Sequence, residues 1–340
     1  MRRGAILVLI LSLVLVACRA STADTTVIDN PPDAGPPTQQ DEDLAGLESE
    51  AQRLLAEEER IRTLMAELVE FPLTVDDDRG AVTLQARPER IVSLSATHTE
   101  ILYALGAQSQ VAGTDLTSNY PAAANQTEKV DSFNFSIEEL AALEPDLVVL
   151  AFDFQGEGEA LDALEIPFLL LGPATGLESA LGQILTVGVA TGHFEAAAEI
   201  TSEMVADVEE IVRSAVPQRG VTVFHEVDNT LYSATSDTFV GDLYRRLGFV
   251  NIADAADGGG PFPQLSSEFI VDQSPEFIFL ADANFGVTVA DVAGRPGWEA
   301  IPAVRSGNIV PLDGDIAGRW GPRTVELMRS ILDAVVASVP

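Results

Sequence analysis

Two glutamates occupy the same position in the two copies of an internal repeat. The segment 136–151 reappears without a gap as 266–281, an offset of 130 residues. Each copy begins with a serine suited to a helix N-cap, carries Glu138 or Glu268 two residues later, and continues through a proline into an apolar run. Their equivalent positions make the two carboxylates candidates for equivalent roles. A glutamate in a first helical turn also complements the helix dipole, which is the simpler explanation.

Aromatic side chains and one arginine are the candidates for ligand contact. They lie in segments expected at the carboxyl ends of strands, where open α/β sheets form their binding crevices. Flat rings suit the face of a large ligand, and an arginine binds carboxylate or phosphate groups. The candidates are Phe133, Phe135, Phe262, Arg319 and Trp320. Core packing explains any single aromatic residue of this set equally well.

Two of the three histidines, His98 and His225, each fall at or just after the first strand of one half. In that position they are candidates to face each other across a cleft, as an axial pair for a haem iron would. A lone histidine is more often structural, so both interpretations stay open. The third, His193, has no special position, and a zinc site needs more converging ligands than these.

The motifs and the net charge of the sequence argue against catalysis and against nucleic-acid binding. The sequence contains no nucleophile elbow, no HExxH and no GxGxxG, and its only lysine, Lys129, is not in a P-loop. The formal net charge of −34, from 53 acidic and 19 basic residues, opposes binding to a phosphate backbone. We therefore predict a protein that is not an enzyme and does not bind nucleic acid.

The amino terminus has the pattern of a lipoprotein signal. Arg2 and Arg3 precede an apolar run over residues 5–16, and the sequence Leu-Val-Ala-Cys ends at Cys18. The run is shorter than the about 20 residues that a membrane span needs. We predict a signal peptide over 1–17 and lipidation of Cys18, the only cysteine of the chain.

Two further segments separate Cys18 from the globular part. Residues 18–40 are rich in Ser, Thr, Asp and Pro and predict a disordered tether. Residues 41–70 predict a charged stalk helix with apolar residues spaced by seven. Such a stripe is compatible with a short coiled coil that oligomerises, or with a helix that lies on the globular body.

The remaining chain predicts two similar α/β lobes joined by a single long helix. A β-hairpin with a solvated turn at Asp76-Asp77-Asp78 opens the N-terminal lobe, which spans 71–190. The connecting helix spans 191–218, with its periodic part at 194–216, and the C-terminal lobe spans 219–340. A helix of that length reaches about 35 Å, enough to pass from one lobe to the other.

Short motifs spread over residues 71–335 match one family. They are FPLTV (71–75), PERIVSL (88–94), TEIL (99–102), LGA (105–107), YP (120–121) and EPDLV (144–148), followed by TFVGD (238–242), PQLS (263–266), RPGW (295–298) and GPR (321–323). This set resembles the cobalamin and iron-siderophore periplasmic-binding proteins of ABC importers. The resemblance implies a class III solute-binding fold with chelatase-like lobes and a ligand bound in the cleft between them.

The resemblance also implies roles for particular residues. Glu138 and Glu268 match the family glutamates that form salt bridges with arginines of the importer's membrane subunits. Phe133 and Phe262 stand where cobalamin-binding members carry tryptophan, a departure that weakens the corrinoid assignment. The protein itself is expected to need no cofactor, because cobalt or iron arrives with the ligand.

We therefore expect an extracytoplasmic protein, anchored to the cell membrane through Cys18, that captures cobalamin or a ferric siderophore and delivers it to an ABC importer. One alternative is a haem-binding protein of the same fold. Another is a surface receptor without a transport role, or an enzyme that uses the cleft.

Overall fold

The computed structural model describes residues 70–256 and 258–338. The predicted signal peptide, Cys18 and the tether lie outside this range, as does the predicted stalk helix up to residue 69. Within the described ranges, no helix has the combination of length and apolar character that a bilayer span requires.

The described strands form one hairpin and two larger sheets. They are β1 (Leu73–Asp77), β2 (Gly80–Leu84), β3 (Ile91–Leu94), β4 (Val111–Asp115), β5 (Glu128–Val130), β6 (Leu147–Leu150), β7 (Phe168–Leu170), β8 (Thr222–Glu226), β9 (Val250–Asn251), β10 (Phe277–Leu280) and β11 (Ile309–Pro311). The N-terminal sheet has the order β5-β4-β3-β6-β7 and the C-terminal sheet the order β11-β10-β8-β9. All neighbours in both sheets are parallel, so the predicted fold of two α/β lobes is confirmed.

Helices connect the strands and cover both faces of each sheet. Their bounds are α1 (Ala96–Ala104), α2 (Ile137–Ala141), α3 (Glu157–Ala163), α4 (Leu177–Thr191), α5 (Phe194–Ser214), α6 (Phe239–Leu247), α7 (Ser267–Gln273), α8 (Val289–Ala293), α9 (Pro302–Ser306), α10 (Gly314–Ala317) and α11 (Thr324–Ala337). The periodicity over 194–216 predicted α5 to within two residues. At 1.5 Å per residue, the 21 residues of α5 span about 32 Å.

The central strands divide their side chains between two cores. In β10, Phe277 and Phe279 pack into one apolar cluster, whereas Ile278 and Leu280 pack into another. Successive side chains of a strand point to opposite faces, which explains the alternation. β6 of the other lobe follows the same rule, and these strands are therefore apolar at every position.

One of these cores belongs to both lobes. It contains Leu147 and Val149 from the N-terminal sheet, Phe277 and Phe279 from the C-terminal sheet, and residues of α4, α5 and α11 between them. The other face of each sheet has a core of its own. The two lobes are thus joined by continuous apolar packing, and not by the connecting helix alone.

The turn between β1 and β2 is anchored to the N-terminal sheet, which corrects the prediction of a solvated turn. The Asp77 carboxylate is buried and accepts a hydrogen bond of 2.9 Å from the Leu170 amide at the end of β7. Asp78 accepts one of 2.7 Å from the Gly172 amide. These carboxylates hold the hairpin against the β7 edge by charge-assisted hydrogen bonds.

The α4–α5 contact requires a glycine at one position of α4. A Cβ on Gly188 would overlap the Cβ of Ala197 in α5, whereas a Cβ on Gly182, in the same helix, meets nothing within 4 Å. Gly188 therefore sets how closely the two helices approach, and with them the geometry of the shared core.

We predict that Gly188→Ala lowers the free energy of unfolding by about 1–3 kcal/mol, because the added methyl group overpacks the helix contact. Gly182→Ala is the matched control, and it should leave stability unchanged or raise it by up to about 1 kcal/mol. Urea denaturation of the purified 70–338 region measures both. Equal effects of the two substitutions would contradict the account of the α4–α5 contact.

Candidate ligand-binding site

The carboxyl ends of the strands form one rim on each lobe, and the two rims face each other. All strands of a sheet are parallel, so their carboxyl ends lie on the same edge. Asn119, in the loop after β4, donates a hydrogen bond of 2.7 Å to Asp315, in the segment after β11. This contact joins the rims at one place, and the loops after the other strands lie on the same two edges; we call the space between these edges the cleft.

Exposed aromatic side chains are concentrated in these rim loops. We call them the rim aromatics; they are Tyr120, Phe133, Phe152 and Phe154 on the N-terminal lobe and Tyr232, Phe262 and Phe285 on the C-terminal lobe. Isolated exposed apolar residues are ordinary, but clusters of aromatic rings around a cleft are typical of ligand-binding sites.

Two of the three predicted phenylalanines belong to this set. Phe133 is 72% exposed and Phe262 is 52% exposed, and each precedes the N-terminus of a helix in its lobe. Phe135 differs, because it is half-buried and packs against the second core of the N-terminal lobe. Phe133 and Phe262 are therefore free to meet a ligand, whereas Phe135 supports the sheet.

Sequence reasoning missed the most exposed rings of the site. Phe154 and Phe285 are 81% and 87% exposed, and Phe154 stacks on Phe152 with ring centroids 4.8 Å apart. The Gln155 side chain donates a hydrogen bond of 2.8 Å to the Phe133 carbonyl, which ties this loop to the neighbouring one. Phe152 and Phe154 follow β6 and Phe285 follows β10, so their position after the strands of the repeat was the signal available in the sequence.

Arg319 holds the lobes together, which corrects its assignment to the ligand. Its guanidinium contacts Glu100 of α1 at 2.7 Å, Asn119 at 2.8 Å and Asp315 at 2.8 Å. Arg323 also donates to Glu100, at 2.8 Å. Both arginines belong to the C-terminal segment and Glu100 to the N-terminal lobe, so this buried carboxylate binds two cations across the interface between the lobes.

Trp320 is likewise a core residue and not a cleft residue. Its ring lies in the shared core, and its indole N–H donates a hydrogen bond of 2.8 Å to Gln183 of α4. An indole packs well in an interior when its single donor is satisfied, as it is here.

The predicted histidine pair does not form. His98 is fully buried beside Gln183 and Trp320, and His225 is buried with Nδ1 2.9 Å from the Tyr244 hydroxyl. His225 points to the shared core because it alternates with Phe224 and Glu226 along β8. In residues 70–256 and 258–338, no group of three or more metal-ligating side chains is arranged to hold a metal ion.

Glu138 and Glu268 occupy equivalent exposed positions in the first turns of α2 and α7. The preceding serine caps each helix, since Ser136 accepts from the Glu139 amide at 3.3 Å and Ser266 from the Phe269 amide at 3.1 Å. Both helices begin at the rim, so the two carboxylates flank the cleft. Neither forms an ion pair with a residue of the described ranges.

These two lobes, with a cleft bordered by the carboxyl ends of parallel strands, have the architecture of class III binding proteins. The family model described as periplasmic binding protein matches residues 91–316. The chain belongs to this family, whose members are substrate-binding proteins of ABC transporters and not enzymes.

Three relatives illustrate the similarity. The ABC transporter substrate-binding lipoprotein YvrC of Bacillus subtilis is 30% identical over 275 residues, which cover 78% of this chain and 86% of YvrC. A cobalamin-binding protein of Halobacterium salinarum is 29% identical over 275 residues, 78% of this chain and 74% of the relative. The crystal structure of a possible iron-binding periplasmic protein of Staphylococcus epidermidis has a TM-score of 0.66 and 26% identity, and covers 74% of this chain and 99% of that one.

The buried histidines make the stability of the fold dependent on acid. Burial lowers the pKa of His98 and of His225 from 6.5 to about 4, and for His98 the hydrogen bond with Gln183 opposes this shift in part. Both rings are neutral in the folded protein at pH 7, and unfolding lets them take up protons below pH 6.5. Stability is therefore lost as the pH falls from about 6.5 towards 4.

We predict that His98→Gln destabilises the protein at pH 7.5 but less so at pH 4.5. At pH 4.5 the folded wild type keeps His98 neutral although the unfolded chain would protonate it, and this cost is absent from the glutamine variant. The gap in unfolding free energy should shrink by about 2–3 kcal/mol between these pH values. Urea titrations at both pH values measure it, with the half-buried His193→Gln as the control that shows a smaller change. A gap that is constant with pH would contradict the assignment.

Proposed function

We propose that this chain is an extracytoplasmic, lipid-anchored substrate-binding protein that captures a corrinoid or a ferric siderophore between its lobes and delivers it to an ABC importer. The observation that carries the proposal is the placement of exposed aromatic rings from both lobes around one cleft. Rings such as Phe154 and Phe285 offer flat apolar surface to a large chelate or a corrin face.

The names of relatives favour this ligand class. Those with detectable sequence similarity include proteins named for cobalamin or vitamin B12 binding, and a structural relative above 25% identity is named as possibly iron-binding. The burial of His98 and His225 speaks against a haem held by a histidine pair from the two lobes.

The two glutamates are proposed as the docking contacts. Their carboxylates are exposed, have equivalent positions on the two lobes, and lie on the side of the molecule where the cleft opens. Exposed charges of this kind steer and orient association with a partner of opposite charge. The shared core fixes the spacing between the lobes, so the two contacts are presented at a defined separation.

Anchoring through Cys18 is part of the same proposal. The apolar run and the Leu-Val-Ala-Cys sequence support it, and the similar protein YvrC is itself named a lipoprotein. A lipid anchor would keep the binding protein at the membrane that contains the importer, which raises its effective concentration there.

We predict that Glu138→Gln combined with Glu268→Gln abolishes uptake of labelled cyanocobalamin or ferric trihydroxamate by cells that carry the altered gene, while ligand affinity stays within about twofold of wild type. Phe154→Ala should instead lower ligand affinity by about tenfold or more, because it removes a stacking surface, and should leave the docking contacts unchanged. Calorimetry and uptake assays give the two readouts.

The matched control is Glu139→Gln combined with Asp272→Asn, which removes the same charge from exposed positions of α2 and α7. This variant should transport normally. Normal uptake by the Glu138 and Glu268 variant would contradict the docking role, and absence of binding to any corrinoid or ferric siderophore would contradict the proposed function.

A further inference from the structure

Three carboxylates lie together on the rim of the C-terminal lobe. Glu226 is the last residue of β8, Asp228 follows two residues later, and Asp282 follows the end of the neighbouring strand β10 by two residues. Glu226 pairs with Leu280 in the register of these parallel strands, so all three acids are on the same edge. Burial raises the pKa of Glu226, Arg295 opposes this rise, and the nearby charges of Asp282 and Asp228 add to it.

The cation beside these carboxylates is already paired. Arg295 donates two hydrogen bonds of 2.6 Å to the two oxygens of Glu226, and its guanidinium lies 4.6 Å from the Trp298 ring centroid. A bidentate pair of this geometry satisfies both partners. Arg295 is therefore part of the scaffold. Among the described residues neither Asp228 nor Asp282 forms an ion pair, although Asp228 accepts hydrogen bonds from the Thr230 amide at 2.8 Å and the Thr230 hydroxyl at 2.6 Å.

Asp282 is the unusual member of the group. The residue is only 3% exposed, yet neither carboxylate oxygen has a hydrogen-bond partner among the described residues. Burial raises the pKa of this carboxyl; a contact with its own backbone amide and the attraction of Arg295 oppose the rise, and the charge of Asp228 adds to it. A buried acceptor without a donor is costly, so such a group calls for a partner from outside the chain.

Asp282 also lies next to the exposed part of the cleft. It precedes the turn Ala283–Phe285, and the Phe285 amide donates a hydrogen bond of 2.9 Å to the Asp282 carbonyl. Phe285 is the most exposed of the rim aromatics. A ligand that stacks on Phe285 would thus lie beside the loop that carries Asp282. Because both Asp282 oxygens are buried, contact with them requires a local shift of this rim, whereas Asp228 on the same edge is half-buried.

The other cations near the two rims are also engaged inside the protein. Lys129 donates to Thr114, to the Ser118 carbonyl at 2.6 Å and to the Asp115 carbonyl. Arg319 and Arg323 are held by Glu100. Within the described ranges, these rim cations offer no free positive charge to neutralise an anionic ligand, in a chain whose net charge is −34.

We propose that the cleft selects an uncharged or cationic metal chelate, one that presents N–H donors such as primary amides or an ammonium group to Asp282 and Asp228, and that it rejects polyanionic chelates. This inference rests on the proposed function and narrows its ligand class. A corrinoid has primary amides and some ferric trihydroxamates have an ammonium group, so both sources share this chemistry. Ferric tricatecholates and haem, with its propionates, do not.

Calorimetry with four probes tests the charge selection: cyanocobalamin, a cationic ferric trihydroxamate, a ferric tricatecholate and haemin. We expect one or both of the first two to bind at least about a hundredfold more tightly than the last two, because unneutralised charge is strongly penalised in a site of low dielectric. Equal or tighter binding of the ferric tricatecholate would overturn the inference and leave the proposed function intact, whereas binding of haemin alone would contradict both. Failure of all four to bind would instead count against the proposed function, and the inference would fall with it.

Asp282→Asn tests the proposed contact. It should weaken the tighter of the first two probes by about tenfold or more, since a charge-assisted hydrogen bond is lost, while the ligand-free protein keeps or gains melting temperature. Asp272→Asn removes the same charge from an exposed position near the opposite edge of the sheet and should change nothing. If Asp282→Asn does not fold, Asp228→Asn gives the same readout from a less buried position. Unchanged affinity in the folded variant would show that Asp282 has no part in binding.

Discussion

The apolar core shared by the two sheets is the constraint on which the other features depend. One face of each sheet packs against α4, α5 and α11, so the sheets cannot move apart without exposing Leu147, Phe279 and their neighbours to water. Each such side chain contributes about 1.5–3 kcal/mol of burial, which makes a wide opening of the lobes expensive. The rims are therefore held face to face whether or not a ligand is present.

The ion pairs of Glu100 act within that geometry. A carboxylate buried between Arg319 and Arg323 stabilises only the arrangement in which both guanidinium groups reach it. An intact buried ion pair adds little net stability, because desolvation of the charges offsets their attraction, whereas loss of one partner typically costs about 3–5 kcal/mol. The cluster therefore favours one relative position of the lobes more than it raises their stability. It also removes two cations from the cleft. The ion pairs between the lobes thus determine which charged side chains remain available to a ligand.

Local sequence patterns predicted the elements of this fold well, because their causes are local. The repeat located β6 and β10 with their capped helices, and the apolar periodicity located α5. What sequence reasoning could not supply was the partner of each polar side chain. Arg319 meets Glu100, 219 residues away, and Trp320 meets Gln183, 137 residues away. Contacts at such separations depend on how the lobes pack. They show that Arg319 and Trp320, which the sequence suggested as ligand contacts, have structural partners.

We propose that a ligand is enclosed between the carboxyl-end rims of both lobes. Hydrogen exchange of the full chain, with and without saturating cyanocobalamin or ferric trihydroxamate, tests it most directly. We expect added protection in the loops after β5, β6, β8 and β10, which carry rim residues such as Phe133 and Phe285, and none at the amino ends of the same strands. Protection limited to one lobe, or found at the opposite edges of the sheets, would contradict it.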